Sequence, residues 1–207
     1  MAFVFVGPLS RCYARRTGEA ARLRAGVETW RADLCAGVAD KVAAQLVWDE
    51  GADLDFRADL GEAGWMGVRL LACYAERADL ELPDTVPALL ELDTAWREGV
   101  AAKFGKSHFG QLLACTAWLP GEFPVTIGAP LPDGETAEIG SIQVLADQLR
   151  RLNQRTFQAD LDALATWREL PAPASGDLLD AARRGLAALS AAAATAERFG
   201  LPMLLRD

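Results

Sequence analysis

The sequence predicts a single domain over residues 1–207 that is mainly α-helical and carries a small β-sheet, an α+β arrangement. Two observations predict it. About five substantial segments repeat apolar residues at spacings of three and four, and three or four short segments have strand character. Apolar residues make up 51% of the chain and charged residues 24%, which is typical of a globular protein. An all-α bundle is the alternative fold.

The first elements follow from the change in apolar spacing along the chain. Residues 2–6 form a short apolar run closed by Gly7, which predicts a buried strand. A long helix is expected next, capped by Thr17 and running to about Leu46, because its apolar residues keep to one face. Residues 53–60 instead alternate strictly between polar and apolar side chains, which predicts a strand with one solvent-exposed face.

The middle of the chain contains two further helices and one ambiguous segment. Residues 63–77 return to helical spacing, and Thr85 with Pro87 predicts the start of another helix that ends at Gly105. The apolar stripe of this second helix consists of Leu89, Leu92, Trp96 and Val100. Residues 107–118 suit a short helix or a strand, and we favour a strand that forms a hairpin with residues 123–127.

Turn signals and helix caps organise the last third of the chain. Pro132, Asp133 and Gly134 predict a turn, and Ser141 is expected to cap a helix. The inward stripe of that helix consists of Ile142, Leu145, Leu149 and Leu152, continued by a second stripe toward Trp167. Ser175 is expected to cap the last helix, which ends at Gly200. Its inward stripe consists of Leu178, Ala182, Leu186, Leu189 and Ala193.

Localisation is inferred from the start of the chain and from the cysteines. The opening apolar run of five residues is too short for a secretory signal, and no stretch reaches the roughly 18 apolar residues of a membrane span. The four cysteines, Cys12, Cys35, Cys73 and Cys115, form no CxxC pair and three of them lie in helical surroundings. We therefore expect a cytoplasmic protein with free thiols and no membrane partner.

Motifs that would identify a cofactor, a metal or a reaction are missing from the sequence. It contains no phosphate-binding GxxxxGK[ST], no GxGxxG and no GxSxG. A calcium loop starting at Asp53 fails because Ala58 and Gly64 occupy its sixth and twelfth positions. With one histidine and scattered cysteines, zinc is not expected either. The sequence therefore predicts no cofactor and no metal site.

His108 and Cys115 are the weak candidates for catalysis. A histidine can act as a general base toward a cysteine nucleophile. The two residues are seven positions apart, which on a helix is about 10.5 Å of rise and on a strand is more. A direct nucleophile–base pair is therefore not expected, and the sequence leans toward a protein that is not an enzyme.

Charge is the least ordinary feature of the sequence. The chain carries 29 acidic and 21 basic residues, which gives a net charge of −8 and argues against nucleic acid as a partner. Residues 49–62 contain six acids and one arginine, whereas residues 1–25 contain five arginines and one acid. The candidate partner-binding residues are Asp53, Asp55, Asp59 and Glu62, together with Trp48 and Trp118 near predicted turns.

Three functional hypotheses fit these observations. The first is a non-enzymatic, cytosolic protein-interaction module, such as an inhibitor, immunity-type or adaptor protein, whose acidic face binds a basic protein partner. The second is an enzyme or small-molecule-binding protein with a pocket between the helices and the loop at residues 119–140, since a long loop in a compact domain often serves function. The third is a homo-oligomeric structural protein that pairs its basic and acidic segments between copies.

Overall fold

A computed structural model of the chain describes residues 2–14, 16, 18–43, 45–169 and 176–206. Thr17 and Ser175, the predicted caps of two helices, lie outside these residues. The described helices are α1 (Leu9–Tyr13), α2 (Glu19–Val38), α3 (Gly61–Tyr74), α4 (Thr94–Ala101), α5 (Gly110–Ala114), α6 (Ile142–Arg155), α7 (Leu161–Glu169) and α8 (Leu178–Phe199). The described strands are β1 (Phe3–Val6), β2 (Phe56–Asp59), β3 (Ala117–Leu119), β4 (Ile127–Pro130), β5 (Thr136–Ser141) and β6 (Met203–Arg206).

The fold class is α/β, so the prediction of a mainly α domain with a small sheet is wrong, as is the all-α alternative. The described residues form eight α-helices and a mixed sheet of six strands, and 51% of the described residues are helical. The sheet was underestimated because several strands have only three or four residues, too few for alternation to show. Strands β4 and β5 also fall in a stretch rich in glycine and proline, which predicts a loop.

The six strands follow the order β2-β1-β6-β3-β5-β4. Strand β1 pairs antiparallel with β2 and with β6, and β3 pairs antiparallel with β6. The parallel pair is β3 with β5, and β5 continues antiparallel to β4. Strand β6, the last of the described elements, therefore lies inside the sheet and connects the β1–β2 pair to the other three strands.

The hairpin expected between residues 107–118 and 123–127 does not form. Residues 110–114 are helical as α5, and the strand that follows pairs with β5 and β6 instead. Residues 123–125 are held by a side chain: the Gln111 amide donates to the carbonyls of Phe123 at 3.1 Å and Val125 at 3.2 Å. The hairpin that the structure contains joins β4 to β5, and its turn is the predicted one at Gly134, where φ is +87°.

Several helix boundaries differ from the prediction, and those of α2 and α4 differ most. Helix α2 ends at Val38, and the buried Val42 continues the apolar stripe on irregular chain instead. Helix α4 begins at Thr94 rather than near residue 85, because the Asp93 side chain accepts a hydrogen bond from the Trp96 backbone amide at 2.8 Å. The cap of α6 is confirmed, since the Ser141 hydroxyl accepts from the Val144 amide at 3.3 Å.

Helices α3 and α8 pack against each other through glycines. A Cβ added at Gly185 would lie 2.1 Å from the Gly64 carbonyl oxygen, and one at Gly67 would lie 2.9 Å from the Ala181 side chain. The two backbones therefore approach more closely than side chains allow. The inward stripe predicted for α8 is confirmed, since all five of its residues are buried.

None of the helices in the described parts of the chain is both long enough and apolar enough to cross a membrane.

Candidate ligand-binding site

A cleft of about 930 Å³ opens between helices α1 and α2, the turn that joins β4 to β5, and strand β6. Two other clefts described below have volumes of about 460 and 490 Å³. The 930 Å³ cleft is lined by apolar and aromatic side chains, namely Phe3, Tyr13, Leu23, Val27, Trp30, Leu131 and Leu205. Polar and charged side chains on its wall are Cys12, Glu19, Asp133, Glu135 and Arg206. A concave surface of mixed chemistry at this size is typical of a site for a small organic molecule.

A buried carboxylate holds α1 in place at this cleft. The two oxygens of Glu50 accept hydrogen bonds from the backbone amides of Leu9 at 3.0 Å and Ser10 at 2.9 Å. The Trp48 indole donates to the same carboxylate at 2.5 Å. Glu50 is only 4% exposed, and its charge complements the free amides at the start of the helix. Because α1 is fixed at its first turn, Tyr13 in its last turn has a defined place in the cleft.

Helix α2 is tied to the opposite wall by Trp30. The Trp30 indole donates to the Pro130 carbonyl at 2.7 Å, which links the middle of α2 to the end of β4. The Trp30 ring also lies 6.4 Å from the ring of Trp48, measured between centroids. Since Trp48 bonds to Glu50, the same group of contacts positions both helices that border the cleft.

Arg206 on β6 reaches across the floor of the cleft. Its guanidinium lies 4.4 Å from the centroid of the Tyr13 ring, and its Nε donates to the Cys12 sulfur at 3.3 Å. The two terminal nitrogens lie 3.4 and 3.5 Å from one oxygen of Asp133. Ion-pair contacts of this length are weak compared with a bidentate pair, so Asp133 is loosely held.

Burial keeps Cys12 and Tyr13 of α1 protonated. Desolvation raises the pKa of Cys12, although the hydrogen bond from Arg206 opposes the rise. Desolvation, aided by the nearby Asp133 carboxylate, raises the pKa of Tyr13 as well. Cys12 is therefore a thiol at neutral pH and not an activated nucleophile. The buried Tyr13 hydroxyl has no hydrogen-bond partner among the described residues.

The predicted acidic face is largely paired within the chain. Asp53 binds Arg11 at 2.7 Å, Asp55 binds Arg57 at 2.8 Å, and Asp59 binds Arg184 at 2.7 Å. Arg11 comes from the basic N-terminal region, so the two charge-biased segments meet inside one molecule. Glu62 lies apart from these pairs, exposed in the first turn of α3.

The two tryptophans proposed as contacts for a ligand or a partner are buried. Trp48 is 5% exposed and Trp118 is 0% exposed. Trp48 supports the buried Glu50, as described above. Trp118 lies in β3, opposite Met203 of β6, and its side chain belongs to the hydrophobic core. Neither ring forms part of the outer surface.

His108 and Cys115 are not brought together. The His108 side chain is 59% exposed, and its Nδ1 lies 2.8 Å from an oxygen of Glu76. The other oxygen of Glu76 accepts from the Ser107 hydroxyl at 2.6 Å, beside a cleft of about 460 Å³. Cys115 is fully buried, and burial raises its pKa to about 12. The described residues also contain no group of three His, Cys, Asp or Glu side chains that could hold a metal ion.

Sequence reasoning missed the residues that form the floor of the larger cleft. Tyr13, Asp133 and Arg206 come from three distant parts of the chain, and the sheet topology brings them together. One feature of the sequence indicates this cleft. The long loop predicted at residues 119–140, beside which a pocket is expected, contains the β4–β5 turn.

Comparisons of this chain with protein-family models, with curated proteins and with solved structures found no match.

Proposed function

We propose that the protein binds a small organic amine in the cleft between α2 and the β4–β5 turn. The charge of the cleft supports this choice. Among the described lining residues, the carboxylates of Asp133 and Glu135 outnumber the guanidinium of Arg206. Asp133 holds that guanidinium only at 3.4 to 3.5 Å, so its carboxylate remains available to a ligand cation.

The aromatic walls of the cleft suit the apolar part of an organic amine. Phe3, Tyr13 and Trp30 present aromatic rings, and aromatic faces attract cations as well as apolar groups. The excess of carboxylates is the observation on which the proposal depends most, because it favours a cation over a neutral ligand of the same size.

A panel of primary amines tests the proposal by thermal denaturation of the purified chain. Benzylamine and spermidine are the probes, and benzyl alcohol is the neutral control. A ligand at about a hundred times its Kd stabilises the folded state by about 2.7 kcal/mol, which is readily measured. We expect at least one amine, and not the alcohol, to raise the melting temperature.

Two variants locate the effect. Glu135→Gln removes a carboxylate from the cleft, and Glu122→Gln is the matched control because that exposed side chain lies outside it. The shift should shrink in the first variant and persist in the second. Equal shifts in both variants, or stabilisation by none of the amines, would contradict the proposal.

The other hypotheses from the sequence stay predictions. An acidic-face interaction module has weaker support, since arginines of the same chain pair with Asp53, Asp55 and Asp59. A homo-oligomer built on the same charges loses support for the same reason. Cytoplasmic localisation is part of our proposal, supported by four free cysteines, which are typical of a reducing compartment.

A further inference from the structure

Arg69 of α3 is held between two tryptophan rings. Its guanidinium carbon lies 4.6 Å from the Trp65 ring centroid and 4.3 Å from that of Trp96. One terminal nitrogen, Nη2, donates to the Leu113 carbonyl at the end of α5. Both rings are buried, so the orientation of the guanidinium is set by packing.

The positive charge of Arg69 has no carboxylate partner among the described residues. Arg11, Arg57 and Arg184 each have an aspartate within 2.8 Å, whereas no acidic oxygen lies within 4.0 Å of Arg69. The buried Nε has no hydrogen-bond partner, and Nη1 makes no hydrogen bond in the described chain. Burial lowers the pKa of Arg69 to about 10, and the attraction of the Glu91 carboxylate only partly opposes this fall. An unpaired cation of this kind favours an anionic ligand.

Arg69 also lines a cleft of about 490 Å³. Its apolar walls are Trp65, Met66, Leu89 and Leu90. Leu89 is 59% exposed and can contact an aliphatic ligand at the edge of the cleft. Glu62 and Glu91 also line the cleft and are exposed to solvent.

We propose that this second cleft binds a small aliphatic monocarboxylate. The carboxylate accepts from Nη1 of Arg69, and the aliphatic body packs on Trp65, Met66 and Leu89. The exposed Glu62 and Glu91 repel any anion, and they repel a dianion about twice as strongly as a monoanion, so the site discriminates against dianions such as phosphate. This site is separate from the cleft proposed for amines, and neither proposal depends on the other.

Isothermal titration of the full chain with isocaproate tests the proposal. A carboxylate of this size is expected to bind one site with a Kd of about 1 mM. The neutral analogue isocaproamide and inorganic phosphate should each bind at least about tenfold more weakly. Equal binding of the amide, or no saturable binding of isocaproate, would show that Arg69 only supports the fold.

Variants separate binding from folding. Arg69→Gln should abolish isocaproate binding, but it also removes the contacts to two tryptophans and to Leu113. Leu89→Asp avoids that difficulty, because it places a negative charge at the mouth of the cleft on an exposed side chain. It should weaken isocaproate at least about tenfold while the melting temperature stays near that of wild type.

Leu92→Asp is the matched control. Leu92 is 66% exposed and does not line the cleft, so isocaproate should bind this variant as it binds wild type. If Leu89→Asp and Leu92→Asp bind isocaproate equally well, the carboxylate does not occupy this cleft and the proposal is wrong.

Discussion

Replacing Glu50 by glutamine tests whether one buried carboxylate holds α1 in place. The carboxylate accepts hydrogen bonds from Leu9, Ser10 and Trp48. A glutamine side chain offers one oxygen and one NH2 group, so at least one of these three donors then faces another donor. A buried donor without an acceptor costs about 1–3 kcal/mol, and lost charge at a helix N-terminus costs about 0.3–1 kcal/mol more. We expect a loss of about 1–4 kcal/mol in the free energy of unfolding.

Thermal and urea denaturation of the purified chain measure this loss. For a protein of this size the expected fall in melting temperature is roughly 2 to 16 °C. Amide hydrogen exchange supplies a local readout, because the Leu9 and Ser10 amides should exchange faster in the variant. Glu28→Gln, on the exposed face of α2, is the matched control and should change stability by no more than about 0.5 kcal/mol. If Glu50→Gln is as stable as Glu28→Gln, the carboxylate does not hold the helix.

Two further predictions concern close packing and alkaline pH. Gly185→Ala should destabilise the fold by about 3 kcal/mol or more, because its Cβ meets the α3 backbone, whereas Gly37→Ala, with open space around it, should stabilise α2 by up to about 1 kcal/mol. Urea denaturation of both variants checks the pair, and a similar sign for both would refute the packing argument. Burial raises the pKa values of Cys73 and Cys115 to about 12. The unfolded thiols lose protons near pH 9 and the folded ones do not, so stability should fall above pH 9 by about 1.4 kcal/mol per pH unit for each thiol. Equal unfolding free energies at pH 8 and pH 10 would contradict this, and Cys73→Ser should remove one thiol's share.

Elements with a clear apolar period could be predicted from the sequence. The inward stripe of α8 and the alternation that ends in β2 each reflect a surface that is buried on one side, and such burial leaves a repeating pattern. Strand β6 has no such pattern: it follows Pro202, has four residues and is bordered by strands on both sides, β1 and β3. The two buried residues of β6, Met203 and Leu204, are consecutive rather than alternating. The apolar spacing of this segment therefore does not identify it as a strand.

The candidate sites were beyond sequence reasoning for a different reason. The position of Tyr13 beside Arg206 depends on β1 and β6 being neighbours in the sheet, which is a property of the whole topology. Arg69 was overlooked because a single arginine within a helical pattern is ordinarily read as a solvated side chain. That its neighbours are Trp65 in the preceding turn and Trp96 on a different helix emerges only when the helices are packed.

The place of β6 within the sheet has a consequence for synthesis on the ribosome. The chain emerges from its N-terminal end, so β1 and β2 can pair early, and β3, β4 and β5 can pair among themselves. The strand that joins these two groups is made last, and until it emerges β1 and β3 each present an open edge. Open edges of nascent chains are sites of pairing with other molecules. Polysomes translating this message therefore carry a temporary aggregation risk, which chaperone binding between the appearance of β3 and of β6 would relieve.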